Sequence, residues 1–403
     1  MSAAHGVAPR GAPLGAGDTL TLKVGGKNLT GWQRVAVNRS LDSVPASFDI
    51  QVTEKYPLTS DVVVTAGMPC TVSIGSDLVL TGYVDQYLAT VAAGDHTVRI
   101  TGRSMSEDLV DCSALFDTAS KEPGMQQLNG TALAIARSLA APYGVTINSL
   151  AGDGKQIPQF NINLGETAWE IIDRVTRYSQ LLAYDLPDGS VVLAQAGSEK
   201  MASGFALGAN IEHADVAYSM NERFSQYEGH FLSTMVFGTD MGVNSPTIGQ
   251  IVTDDGAAAL KRQDGQPRLR KRYIVSEQTI QGQPIAHDRA VWERNRRYGR
   301  SQVFSVVCDS WRDAAGALWA PNHLAPISAD VLKVGNITWL IASVSYLRDE
   351  NGQHAALTLM PKEAFDPEPI SLQNIPPMLG DVQGNNPTKV GNTFNPPAAT
   401  VPT

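Results

Sequence analysis

The chain has 403 residues, enough for two to four domains at roughly 100–200 residues each. Apolar residues make up 43% of it, which excludes wholesale disorder. A net charge of -9 and a pI near 5.3 argue against a general affinity for nucleic acid or anionic lipid.

Residues 1–17 are rich in Gly, Ala and Pro and read as a flexible arm. Strand signals follow in quick succession. Leu20, Leu22 and Val24 alternate with polar residues and run into a Gly25-Gly26 turn. Val35 and Val37 alternate, as do Phe48, Ile50 and Val52. Val72 and Ile74 lead through Gly75-Ser76-Asp77 to Leu78, Leu80 and Tyr83, and Val98 and Ile100 close the set. This spacing predicts a small barrel or sandwich over 18–112.

The pattern changes in 113–200, which reads as an α+β domain. Thr131–Ala141 is helical and is stopped by Pro142 and Gly144. The strongest helix signal is Glu166–Leu182. Thr167 and Glu170 have capping-box spacing, and Trp169, Ile172, Val175 and Leu182 form its apolar face. Asp188-Gly189 predicts a hairpin after it.

Strand character returns at His230–Gly238, after a polar start around Asn221–Tyr227. Residues 239–272 are polar and Gly-rich and read as a long loop or extension, followed by a helix at about Ile285–Tyr298. Strands recur at Gln302–Cys308, His323–Ile327, Asn336–Leu347 and His354–Met360, with an Asn351-Gly352 turn between the last two. A second barrel is therefore expected within 201–362. It resembles the first set in length and spacing and is interrupted by an insertion at about 239–300. From 363 to 403 the chain is Pro- and Asn-rich and reads as an extended tail. The fold class expected is β-rich α+β and multidomain.

Chemistry is hard to find in this sequence. Its seven histidines form no HxH, HxxxH or HExxH spacing, and its three cysteines, Cys70, Cys112 and Cys308, form no CxxC. No Walker A loop, GxSxG elbow or GxGxxG fingerprint is present. No cofactor, no metal and no catalytic residue is expected. Asp254-Asp255-Gly256 is read as a turn. Arg103 lies near Asp108 and Asp111, and a structural ion pair is the plain reading of the three. Residues 261–300 hold eleven Lys or Arg and four acids. That is either a nucleic-acid contact or a compensated helix face beside a protein partner, and the acidic chain favours the second. No apolar run reaches the roughly 20 residues of a membrane helix, and the N-terminus lacks signal-peptide character.

At GRSMSEDLVDCSA (102–114) the sequence resembles a signature of tail hub proteins from Mu-like contractile phages, the late control D or tail hub superfamily. LTGYVDQY (80–87) and HTVRITG (96–102) precede it in the family's order. NRSLDSVPASFDIQV (38–52), LGETAWEIIDRVTRYSQLLAYDLPDGSVVLAQAG (164–197), GALWAPNHLAPI (316–327) and ITWLIASVSYLRDENGQHAALTLMPKEAF (337–365) extend it. The resemblance implies a structural, non-enzymatic homotrimer in the virion baseplate, assembled in the host cytoplasm. It would join the tail tube to the central spike and line part of the genome channel. Each chain would carry two tube-like barrels, the first about 18–112 and the second combining about 215–240 with 300–362. Implied partners are the spike and the tube or tube-initiator proteins, with tape measure and wedge proteins as further neighbours. DNA would pass without sequence-specific binding, and no membrane insertion is implied. In the tail, Leu372, Leu379 and Phe394 are the expected spike contacts. The competing readings are a tail-associated cell-wall hydrolase and a carbohydrate-binding protein.

Overall fold

The computed structural model describes residues 18–53, 64–92, 95–115, 126–163, 165–231, 247–276, 283–350 and 352–370. The expected arm at 1–17 and the tail beyond 370, with Leu372, Leu379 and Phe394, lie outside the described residues.

The first strand set contains β1 (Leu20–Val24), β2 (Lys27–Leu29), β3 (Arg34–Ser40), β4 (Ser47–Thr53), β5 (Pro69–Ile74), β6 (Asp77–Ala92) and β7 (Asp95–Ser104). Its alternation is the one the sequence shows: Leu20, Leu22, Val24, Val72 and Ile74 are buried, and the residues between them are not. Gly25 and Gly26 turn β1 into β2 with φ of 55° and 75°, a region open to glycine. The strands run in the order β2-β1-β5-β6-β7-β4-β3. Gly102 on β7 is required for a different reason. A Cβ there would stand 2.2 Å from the Tyr83 carbonyl and 2.6 Å from the Phe48 ring.

The central unit follows: α1 (Glu107–Asp111), β8 (Gln126–Thr131), α2 (Ala132–Ala140), β9 (Ile147–Ser149), β10 (Gln156–Asn161), α3 (Ala168–Tyr178), β11 (Leu182–Asp185) and β12 (Val191–Ala194). Ile135, Leu139, Ile171, Ile172 and Val175 pack α2 and α3 over a sheet of order β11-β12-β9. Thr131 caps α2 by accepting from Ala134 N at 3.2 Å. The capping box of α3 forms: Thr167 Oγ1 accepts from Glu170 N at 3.2 Å, and Glu170 Oε2 accepts from Thr167 N at 2.8 Å. The helix is shorter than its pattern suggests. Gln180 takes a φ of 60° and turns the chain, so Leu182 begins β11 instead of extending the apolar face. Trp169 is only half-buried, at the edge of the core.

The second strand set is built from β13 (Glu199–Lys200), β14 (Phe205–Ala206) and β15 (Ile211–Tyr218), then, after an insertion, from strands numbered below as β19 to β22. The insertion holds β16 (Gln226–Phe231), β17 (Thr247–Thr253), α4 (Asp255–Ala258), β18 (Lys271–Ser276) and α5 (Gln283–Arg300). The chain then returns in β19 (Gln302–Cys308), β20 (His323–Ala329), β21 (Val334–Asp349) and β22 (Gly352–Met360). Ser219 N donates to Ser301 O at 2.8 Å, so the insertion leaves and re-enters at one point.

Two expectations change here. The strand near 230, expected in the second barrel, pairs with β17 and β18 in a separate sheet of order β17-β16-β18. The stretch 239–272, expected as a long loop or extension, supplies part of that sheet and the short helix α4. The two tube-like barrels expected are not confirmed as separate units: among the described strands no sheet closes. Val35–Ser40 of β3 pairs antiparallel with Ser343–Arg348 of β21, and the two sets become one 14-stranded sheet. They share one core, with Val37, Phe48 and Ile50 in the same buried cluster as Phe304, Ile341 and Tyr346. The physical reason is that an unpaired β3 edge is satisfied by β21 instead of by a strand of its own set.

Three polar ties fix the units to one another. Asp185, at the end of β11, is buried and accepts from Ala46 N at 2.7 Å, from Ser104 Oγ, and from Ser106 Oγ at 3.3 Å. Asn322, also buried, donates to Tyr184 Oη at 3.1 Å and to Gln195 O at 3.0 Å, and accepts from Gly197 N at 2.8 Å. Arg312 reaches from the second strand set to Asp18 at 2.8 Å, Asp77 at 2.5 Å and the Ile74 carbonyl at 3.2 Å.

Candidate assembly surfaces

The acid cluster predicted around Arg103 exists with a different membership. Arg103 sits on β7, and its guanidinium meets Asp85 of β6 at 2.8 Å, Asp111 at 2.8 Å and Glu107 at 3.2 Å. Asp108, expected as a partner, is not among them: α1 aims Glu107 and Asp111 at the guanidinium instead. Asp85 was missed because it lies on the neighbouring strand, where only the β6–β7 register brings it alongside. Burial, and then the nearby Asp85, push the Glu107 carboxyl up to about 7. One arginine among these carboxylates makes a structural knot at the foot of the β6–β7 hairpin.

The basic stretch 261–300 is largely a set of internal ties. Arg297 pairs with Glu293 at 2.8 Å and also with Glu222. Arg272 meets Glu293 at 3.0 Å, Lys271 meets Glu228 at 2.9 Å, Arg300 meets Asp42, and Arg289 meets Glu368. Asp254 is a helix cap: its Oδ1 accepts from Ala257 N at 3.1 Å, and its carboxylate, held below its usual range, pairs with Arg223 at 2.8 Å. The helix α5 therefore spends its charge on its own chain, as the compensated reading expects.

Where α3, α5 and the segment after β22 meet, a groove of about 310 Å³ opens, lined by Leu41, Val44, Trp169, Leu182, Trp292 and Phe365. Trp292 Nε1 donates to the Asp366 carbonyl at 2.6 Å, and burial raises the carboxyls of Asp173 and Asp366. Among the described residues no group of His, Cys, Asp and Glu could hold a metal. No described helix is long and apolar enough to cross a membrane. Cys70 and Cys308 are buried free thiols pushed up to about 12, and burial is the main cause in both.

The long strand edges are the other exposed feature. Past Val84, β6 pairs among the described strands only with β7, and Tyr87, Leu88 and Val91 on that stretch are exposed. Among the described strands β15 pairs only with β19. Unpaired edges of this kind can accept a strand from another chain.

Residues 19–104 match the N-terminal domain of the Mu phage baseplate assembly protein GpP-like family. Residues 106–195 match the second domain of the baseplate hub protein gp44-like family, and residues 283–368 match the fourth domain of GpP. The baseplate hub protein gp44 of Escherichia phage Mu is 31% identical over 355 residues, covering 86% of this chain and 89% of that protein. The chain belongs to the Mu-like phage baseplate hub family. A 43 kDa tail protein of prophage MuSo2 from Shewanella oneidensis has the same fold, with a TM-score of 0.74 and 27% identity over 87% of this chain and 99% of that one. A tail protein of Neisseria meningitidis MC58 has a TM-score of 0.69 at 19% identity, again covering 87% and 99%. Both are named as tail proteins.

Proposed function

We propose that this hub is a homotrimer in the tail baseplate that joins the tail tube to the central spike and forms part of the channel for the genome. The observation that carries the reading is the β3–β21 pairing, which fuses two similar strand sets into one rigid sheet. A trimer of such chains presents six strand sets, the number a sixfold tube requires. The free edges of β6 and β15 give each chain a place to continue the wall into its neighbour. A net charge of -9 suits a channel that DNA must pass without sticking. Assembly takes place in the host cytoplasm before the particle is released. The tail, through Leu372, Leu379 and Phe394, meets the spike.

Light scattering tests the stoichiometry, with chains of 43.0 kDa alone and mixed with spike and tube proteins. A trimer in either mixture supports the reading. A monomer under all conditions contradicts it. Truncation after residue 370, followed by co-purification with the spike, tests the tail: binding falls if the tail anchors the spike and is unchanged if it does not.

A further inference from the structure

The insertion sheet has two unlike faces. Tyr227 and Val252 turn inward and pack with Ala290 of α5. That helix lies so close that a Cβ at Gly229 would stand 2.4 Å from the Ala286 carbonyl. On the outer face Ile251, Tyr273 and Val275 are 53%, 61% and 67% exposed. An apolar sheet face without a cover marks a contact surface. Set into it is a carboxylate: Glu228 is buried beside Lys271 at 2.9 Å and His230 at 3.5 Å. His230 Nε2 has no hydrogen-bond partner there.

The edge of the sheet is also open. Among the described strands β18 pairs only with β16, leaving one row of its backbone groups without a strand. The segment leading into β18 is basic. Lys261 and Arg268, both exposed, have no carboxylate partner among the described residues, and neither has Arg270, which donates to the Asn221 carbonyl at 2.7 Å. Lys271 and Arg272 open the strand itself. Such an edge repels its own copy in another chain, because like charges would face each other.

We infer that β18 is a docking edge that takes an acidic, extended segment of a partner protein as an added strand. Its backbone groups pair with the β18 edge, its acidic side chains meet Lys261, Arg268 and Arg270, and its apolar side chains cover Tyr273 and Val275. Nucleic acid fits the basic flank but not the apolar face or the buried carboxylate. The site lies between the second and third family-matched spans. It goes beyond the hub reading and uses it only to supply a particle for the test.

The test places a photoreactive benzophenone amino acid at Val275 in full-length chain assembled into tails. Recovery of the chain in purified tails is scored first, and that result bears on the hub reading alone. Cross-linked peptides are then sequenced from those tails, and from tails carrying Lys261→Glu and Arg268→Glu as well. The expected result is a cross-link to an acid-rich segment of another protein, with a yield roughly tenfold lower in the charge-reversed tails. Absence of a cross-link, a cross-link to DNA or to a segment without acids, or a yield indifferent to charge reversal overturns the inference. In solution, a synthetic peptide of alternating Glu and Val should bind the unmodified chain, and its Lys-Val counterpart should not. Equal binding of the two also overturns it.

Discussion

The two strand sets are alike in pattern and unlike in construction. The first is continuous in sequence from Leu20 to Ser104, and most of its pairs are neighbours along the chain. The second is gathered from pieces: β15 leaves at Tyr218, and its partner β19 begins at Gln302, with the whole insertion between them. Alternation of apolar residues announces a strand in both places. It names a partner only where a short turn dictates one. Each set is then fixed to the central unit by one buried polar side chain, Asp185 for the first and Asn322 for the second.

That symmetry can be broken from either side. Asp185→Ala should do the most damage, because Ala46 N–H and the Ser104 hydroxyl lose their acceptor in a buried site. The expected loss is about 3 kcal/mol in urea unfolding. Asn322→Ala should cost about 2 kcal/mol by the same measurement, for the lost bonds to Tyr184 and Gln195 and for a φ of 65° that alanine tolerates poorly. If the second set tolerates the loss of Asn322 without change, its attachment rests on the sheet alone.

Two smaller changes sharpen the comparison. Arg312→Ala removes the contacts with Asp18, Asp77 and Ile74 that bind the second set back onto the first. These contacts are partly solvated, so about 1 kcal/mol is expected, and less in high salt. Glu107, on α1 of the central unit, gives a pH signature where that unit meets β6 and β7 of the first set. Its carboxyl pKa is raised to about 7 by burial and by Asp85, so the folded chain binds its proton more tightly than the unfolded chain does. The stabilisation linked to that proton is present at low pH and is lost as pH rises to about 7. Glu107→Gln should therefore raise stability at pH 8 by somewhat under about 1 kcal/mol, allowing for solvent screening, and change little at pH 4.5. An equal effect at both pH values would mean that the carboxylate is ionised throughout.

What was legible followed locality. The Gly25-Gly26 turn, the Thr167–Glu170 box, the Asp188-Gly189 hairpin and the strands of β19 to β22 are all specified by residues close in sequence. The Arg103 knot was half legible: Asp111 lies on the same local segment, whereas Asp85 arrives through strand register. Trp169 fits a helical stripe by spacing, yet α3 ends early at Gln180 and leaves its ring lining a groove. The allegiance of β16 was hidden, because its partners β17 and β18 lie in a stretch too polar to show a period. The β3–β21 join joins residues some three hundred positions apart and leaves no trace in either strand's pattern.

That join is also the most exposed point of the account. Amide hydrogen exchange followed by mass spectrometry on the full chain reads it directly through Val35–Ser40 and Ser343–Arg348. One sheet and one shared core predict that these two stretches exchange as slowly as β4 and β22 and are released in the same unfolding step. Fast exchange in both stretches, with the two strand sets unfolding in separate steps, would contradict a fused sheet.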